Sequence, residues 1–384
     1  MRRLLVALAL TAPFLSILPE PATANVAIQA YALPAGGGYP HDVAAAPDGV
    51  VWYTAQRDGK LGRLDPASGK VDLVSLGPGA APHGVIIGPD GAPWVTEGGT
   101  NAIVRVDPRT YEITRWPLPE SRGYVNLNTA VFDKRGRVWF TGQNGVYGRL
   151  DPATGDMQVW DAPRGRGPYG ITVTPDGTVY YASLAGSHIA RVDPDTGKAT
   201  VLEPPTKDQG ARRVWSDSKG RIWVSEWNSG NVSRYDPASG EWRAWRLPGS
   251  KPRAYAVYVD DRDQVWLSEW ERQAVVHFDP ATEKFEVFPS DKRGANVRQM
   301  LPGSTPGRPF VHRRLVLPSA RQGHASAGIV DEAEGHVGPQ GVGVQPVERR
   351  FGGVVVIGGL AGGEGRPPLS GQFGHRDAPS EPVW

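Results

Sequence analysis

The sequence predicts an all-β chain folded as a seven-bladed β-propeller, with six complete blades and a disrupted seventh. Three observations predict it. Asp-Pro recurs at Asp65, Asp107, Asp151, Asp193, Asp236 and Asp279, at intervals of 42, 44, 42, 43 and 43 residues. Upstream of each lies Asp-Gly or a variant, then an aromatic: Trp52, Trp94, Trp139, Tyr180, Trp223 and Trp266. Glycine and proline, 49 and 36 residues, form about 22% of the chain against an ordinary ~12%. Helix interiors tolerate neither, so short strands and tight turns are expected. A unit of this length holds four antiparallel strands, a to d, and buries its faces only by stacking on neighbours around an axis.

Each recurring feature has a structural reading. Asp-Pro marks the c–d turn, where proline presets φ, and the aromatics are wedges between blades. A d-type strand such as Tyr111 to Pro119 or Trp242 to Pro248 follows each Asp-Pro. One more, Ile28 to Pro34, has no blade before it and is expected to complete the last blade and lock the ring. Seven d strands need seven a–b–c triplets. The seventh begins at Ala295-Asn296-Val297-Arg298 and stops.

The two ends differ from the repeats. Met1-Arg2-Arg3, the apolar run Leu4 to Leu18 and Ala22-Thr23-Ala24 read as a signal peptide over residues 1–24, with a mature start at Asn25. The apolar run is short for a span of ~20 residues. The expected location is therefore periplasmic or secreted, with no membrane span after cleavage. Residues 25–300 carry the repeats. Residues 301–384 lack Asp-Pro, Asp-Gly, Lys and Tyr, and hold four of the eight histidines at spacings that match no metal motif. This tail is expected to have little order. Two origins stay open: a reading-frame shift near codon 300, and a natural disordered extension. Closure is then incomplete unless tail residues such as Val354 to Ile357 supply strands.

Composition excludes several functions. Forty-two Lys+Arg against 40 Asp+Glu, without a sizeable basic cluster, argues against a nucleic-acid partner. The absence of cysteine removes disulfides, thiolate metal sites and cysteine nucleophiles. No P-loop, GxGxxG, HExxH or GxSxG stands in a suitable context. A monomer is expected.

The start of strand a and the end of strand b meet at one mouth of the axial funnel. Fourteen residues separate these positions, which read His41/Ala55, His83/Glu97, Asn128/Gly142, Tyr169/Ser183, Arg212/Glu226 and Tyr255/Glu269, then Arg298 without a partner. They diverge where structural positions repeat, as a ligand-lining ring would. His83 with Glu97, beside His41, can supply a general base with a carboxylate for orientation or metal binding. A polar pair that only closes the ring, and passive ligand binding, are the other readings. Glu226 and Glu269 add carboxylates across the funnel, while Arg212 and Arg298 can clamp an anion or neutralise those acids. His188 and His277, in c-strand positions, receive no function.

Tyr39-Pro40-His41-Asp42-Val43, Ala81-Pro82-His83-Gly84-Val85, Pro93-Trp94-Val95-Thr96-Glu97 and Gly167-Pro168-Tyr169-Gly170-Ile171 resemble the repeats of the virginiamycin B (streptogramin B) lyase family over roughly residues 26 to 300. The resemblance implies a seven-bladed propeller and a Mg²⁺-dependent elimination that opens a cyclic depsipeptide without water, linking the chain to antibiotic resistance. It places the base on His83, the metal-associated glutamate on Glu97 and a second essential histidine on His41. Glu226 and Glu269 are candidate further metal ligands. Asn128, Tyr169, Arg212 and Tyr255 are candidate substrate contacts. Ala81 stands where the lyases carry an acidic residue two before the base. The implied partner is a small molecule or cyclic peptide in the funnel. The alternatives are a non-catalytic propeller that binds a sugar, peptide or cell-wall component, and a lactone hydrolase of gluconolactonase type.

Overall fold

The computed structural model describes residues 31–38, 40–290, 294, 296–302, 309–310 and 357–359. Six four-stranded antiparallel sheets follow one another in the order a-b-c-d. Blade 1 consists of Pro40–Ala45, Val51–Ala55, Lys60–Leu64 and Val71–Ser75. Blade 2 is Pro82–Ile87, Pro93–Glu97, Ala102–Val106 and Ile113–Pro117; blade 3 is Leu127–Phe132, Val138–Gly142, Val146–Leu150 and Met157–Asp161. Blade 4 is Pro168–Val173, Val179–Ser183, His188–Val192 and Ala199–Leu202. Blade 5 is Ala211–Ser216, Ile222–Glu226, Asn231–Tyr235 and Trp242–Arg246; blade 6 is Ala254–Val259, Val265–Glu269, Ala274–Asp279 and Lys284–Pro289. Two single-turn 3-10 helices are the only helical segments among the described residues.

The recurrent residues do what a repeat demands. In each c–d turn the aspartate Oδ1 accepts an amide two residues on, as Asp65 does from Ala67 and Asp236 from Ala238. The wedge aromatics face the next blade. Trp52 packs with Val85, Val95 and Ala102 of blade 2, and Trp223 with Val257, Leu267 and Val276 of blade 6. Burying such a ring contributes about 4–6 kcal/mol from its 150–250 Å². A buried indole N–H needs an acceptor, and the aspartate of the a–b turn supplies it: Trp139 donates to Asp133, Trp223 to Asp217 and Trp266 to Asp260.

Strand a begins with a register break in every blade, as between Pro40 and Val43 or between Ala211 and Arg213. Such a bulge turns two successive residues out of strict alternation. A hydroxyl on strand b accommodates it. Thr54, Thr96, Thr141, Ser225 and Ser268 each accept the amide of the third residue of strand a in their own blade. Thr54, Thr96, Thr141 and Ser225 also donate to the carbonyl of the second residue in the next blade: His83, Asn128, Tyr169 and Tyr255. These hydroxyls tie blade to blade around the axis. Blade 4 carries Ala182 at this position. The third residue is small where the next strand a presses in. A Cβ on Gly84 would lie 2.6 Å from the Asn128 carbonyl oxygen, and one on Gly170 2.6 Å from the Arg213 Cα.

The seven-bladed expectation holds for six blades. Of the seventh repeat the described residues include the strand Asn296–Gln299, which contacts strand a of blade 6 and strand a of blade 1, and the short strand Leu301–Pro302, paired with Pro309–Phe310. Asn296–Gln299 pairs with Ile357–Gly359, so a tail strand begins at the last residue of the Val354 to Ile357 segment singled out from the sequence; residues 354–356 lie outside the described residues. The expected locking strand, Ile28 to Pro34, is irregular over 31–34, and residues 28–30 lie outside the described residues. Its location still suits a closing element: Tyr31 and Leu33 cover Val43, Val51, Tyr53 and Leu64 of blade 1. Residues 1–24, read from the sequence as a signal peptide, and most of the tail also lie outside the described residues.

Candidate functional site

The strand-a bulges put polar side chains on the axis, and these form one connected network. Asp42, buried at 1% exposure, receives Arg213 Nη2 on both carboxylate oxygens at 2.8 and 3.1 Å, from the opposite side of the ring. It also receives His41 Nδ1 at 2.9 Å. Arg213 Nη1 donates to Thr129 Oγ1 at 2.8 Å, whose hydroxyl bonds Asn128 Oδ1 at 2.7 Å; Asn128 Nδ2 meets His83 Nε2 at 3.0 Å. Arg298 Nη1 lies 3.1 Å from His41 Nε2 and 3.4 Å from the Tyr255 hydroxyl. The hydroxyls of Tyr255 and Tyr169 are 2.6 Å apart, and Arg212 Nη2 donates to the latter at 3.0 Å. The imidazoles of His41 and His83 sit 3.9 Å apart between centroids.

Hydrogen-bond direction assigns the tautomers, because guanidinium only donates and carboxylate only accepts. Asp42 must accept from His41, so His41 carries its proton on Nδ1 and presents Nε2 as an acceptor to Arg298. Thr129 accepts from Arg213 and passes its own proton to Asn128 Oδ1, which leaves the Asn128 amide to donate to His83 Nε2. The proton of His83 is then on Nδ1, a buried atom with no protein partner. Both imidazoles are held neutral. Burial lowers the His41 pKa well below the usual histidine value, with Arg298, Arg213 and Arg212 adding to it. Burial does the same for His83, then His41, Arg213 and Arg298, against an opposing pull from Asp42.

The ring read from the sequence is present, with one class of residue misplaced. His41, His83, Asn128, Tyr169, Arg212 and Tyr255 converge as expected, joined by Arg298. Glu97, Glu226 and Glu269 do not join them. Glu97, fully buried, accepts the amides of Ala81 (2.5 Å), Gly99 (2.9 Å) and Thr100 (2.8 Å). Glu269 accepts those of Arg253 (2.8 Å), Glu271 (2.8 Å) and Arg272 (2.7 Å). Glu226 bonds Ser229 and Asn231, and burial raises its pKa. All three fasten the b–c turn to the blade. Asp42, Thr129 and Arg213, at the third position of strand a, are the axis residues that sequence reasoning missed. Their signal was present: a charged or hydroxyl residue stands where Gly84, Gly170 and Ala256 are small.

Among the described residues His41, Asp42 and His83 form the one acid–histidine group that could share a metal ion, with donor atoms within 4.8 Å of one another. The group does not suit Mg²⁺, which takes oxygen ligands in a near-octahedral shell. Two donors are imidazole nitrogens, and the only carboxylate is already neutralised by Arg213 in a region also charged by Arg212 and Arg298.

A propeller with polar side chains of successive strands a joined across its axis is the class of protein that this fold and site define. The chain belongs to the virginiamycin B lyase family, whose model matches residues 21–277. No protein of curated function matches it. A solved streptogramin B lyase is similar at 23% identity with a TM-score of 0.65, over 71% of this chain and 90% of that one. An inactive virginiamycin B lyase variant from Staphylococcus aureus, solved with quinupristin, is similar at 21% and 0.66, over 71% and 92%. The extracellular domain of a hybrid two-component system from B. thetaiotaomicron shares the fold at 15% identity and 0.56, over 69% of this chain and 38% of that one. No helix among the described residues is long and apolar enough to cross a membrane.

Proposed function

We propose that this protein is an exported propeller that binds a small molecule or cyclic peptide in its axial funnel without a divalent metal. The observation that carries this reading is the fate of the acids. Glu97 and Glu269 spend their oxygens on backbone amides, Glu226 is bound by Ser229 and Asn231, and Asp42 is locked to Arg213. The expected Mg²⁺ site is thereby left with Glu226 Oε1 as its one unpartnered carboxylate oxygen among these acids, too few for an octahedral oxygen shell. Tyr169, Tyr255 and Trp227 form a buried aromatic cluster beside the axis, with Trp270 packed against it and stacked on Tyr255 at 4.6 Å. The test is titration of the purified chain with quinupristin, followed by tryptophan fluorescence, with MgCl₂ or with chelator. Saturable quenching of equal affinity in both conditions is expected. Mg²⁺-dependent ring opening with no change in mass would overturn the reading and restore the family's lyase chemistry.

A second reading, elimination on a cyclic ester, is favoured by the Asp42–His41 pair. Asp42 fixes His41 with Nε2 as a proton acceptor, the arrangement a general base needs. His41 Nε2 would take the α-proton, displacing Arg298, while the C–H electron pair forms a Cα=Cβ double bond and the Cβ–O ester bond breaks to release the acyl group as a carboxylate; no water is added. His83, with its proton on Nδ1, would then donate to the ester carbonyl and not serve as the base. Metal-independent opening of quinupristin, lost in His41→Gln and slowed in His83→Gln, would establish this chemistry. Hydrolysis would instead add the mass of one water.

A further inference from the structure

Among the described residues, Arg212 brings to the axis a buried positive charge that no acid there pairs with. Arg213 is paired with Asp42, but Arg212 makes no ion pair among the described residues. Its guanidinium lies 3.8 Å from the Tyr255 ring centroid and 4.7 Å from those of Tyr169 and Trp227. One Nη2 hydrogen goes to the Tyr169 hydroxyl, while the buried Nε has no partner. Arg298, half-buried, lies against the same cluster, 5.8 Å from the Tyr255 centroid and 5.1 Å from that of Trp270, with Nη1 3.4 Å from the Tyr255 hydroxyl. His41, 3.1 Å from Arg298 Nη1, meets the His83 ring at 3.9 Å and a 49° tilt, and His83 Nδ1 is a second buried polar atom without a protein partner. A guanidinium laid on aromatic faces keeps its donors in one plane, the geometry that matches a carboxylate.

We propose that Arg212 and Arg298, with the His83 Nδ1–H, form a carboxylate site at the head of the funnel. This rests on the funnel being the ligand site and adds the chemical class of the group that docks there. A monoanion fits better than a phosphate dianion, because the aromatic cluster excludes water and a second charge would go in poorly solvated. A carboxylate is also the group an ester elimination releases, so the same donors would hold a product's acid end.

The test uses the full chain and matched small probes at constant ionic strength: acetate, its neutral twin acetamide, inorganic phosphate and MgCl₂. Binding is read from histidine ring NMR shifts and from the thermal midpoint. The expected result is a saturable shift of the His83 ring with acetate, assigned by its loss in His83→Gln, together with a raised midpoint. Acetamide should produce neither. Arg212→Gln should weaken acetate about tenfold or more, and Arg212→Lys, which keeps the charge but not the fork, should fall between. Near-ultraviolet circular dichroism establishes that each variant is folded. Equal response to acetamide, tighter binding of phosphate than of acetate, no saturable shift with acetate, or unchanged acetate binding in folded Arg212→Gln would each overturn the proposal. If quinupristin quenches tryptophan fluorescence while acetate does nothing, the funnel stands as the ligand site and only the carboxylate assignment falls.

Discussion

Arg213 of blade 5 reaches across the axis to grip both carboxylate oxygens of Asp42 in blade 1, a partner 171 residues earlier in the chain. The pair is 4% and 1% exposed, so neither charge can turn to water if the other is removed. Breaking a buried pair from one side costs about 3–5 kcal/mol, because the survivor is left uncompensated. Asp42→Asn and Arg213→Met should each lose stability on that scale in denaturant unfolding. The double variant should lose less than the sum of the two. Strict additivity would show that the pair is not coupled.

Stability should fall on acidification through the histidine range. His41 and His83 have native pKa values depressed below their unfolded value of about 6.5. Between the two values the unfolded chain binds more protons than the native one, so unfolding free energy rises with pH and drops as pH falls below about 6.5. Each such group contributes a slope of at most ~1.4 kcal/mol per pH unit. His188 and His277 act in the same direction, whereas the raised Glu226 opposes them above the usual carboxylate value. His83→Gln should flatten the slope between pH 6.5 and 5 by as much as one proton. An unchanged slope would contradict a neutral His83.

Replacing Glu97 separates a structural role from a metal role. Glu97→Ala strands the amides of Ala81, Gly99 and Thr100, at about 1–3 kcal/mol for each buried group left unsatisfied. The expected outcome is a strongly lowered denaturation midpoint that Mg²⁺ does not alter. A normal midpoint with a Mg²⁺-dependent defect would return Glu97 to the role implied by the family resemblance.

From blade 1 to blade 5 the hydroxyls that tie each blade to the next are interrupted once, at Ala182. Thr96→Val removes the bond to the Gly84 amide and the one to the Asn128 carbonyl, and should cost about 1–3 kcal/mol. Ala182→Ser offers the missing hydroxyl between Gly170 and Arg212 and should gain about 0.5–1.5 kcal/mol. Denaturant unfolding measures both, and a destabilised Ala182→Ser would mean that the seam between blades 4 and 5 is packed too tightly for an oxygen.

The blades were legible because Asp-Pro, Asp-Gly and the wedge aromatic recur at nearly constant spacing, each serving a turn or a seam that every blade needs. The second position of strand a was legible for the opposite reason: it varies. The third position was not, because alternation along a strand sends Asp42 and Arg213 to the face opposite His41 and Arg212. The bulge overrides that alternation, and periodicity carries no sign of it; the one signal is the residue type, charged or hydroxyl at Asp42, Thr129 and Arg213 where Gly84, Gly170 and Ala256 are small. Glu97, Glu226 and Glu269 misled in the other direction. Three blades have the glutamate and three have Ala55, Gly142 or Ser183, so a turn-fastening residue looked like a chemically varied one.

Six side chains from blades 1, 2, 3 and 5, each at most 6% exposed, plug the axis: His41, Asp42, His83, Asn128, Thr129 and Arg213. A propeller open from end to end lets a ligand enter by one mouth and leave by the other. A plugged one is a cul-de-sac. Whatever reaches Arg212 departs by the door it came in, so a product retained there would compete directly with incoming ligand, and the opposite mouth is free to evolve as a separate surface.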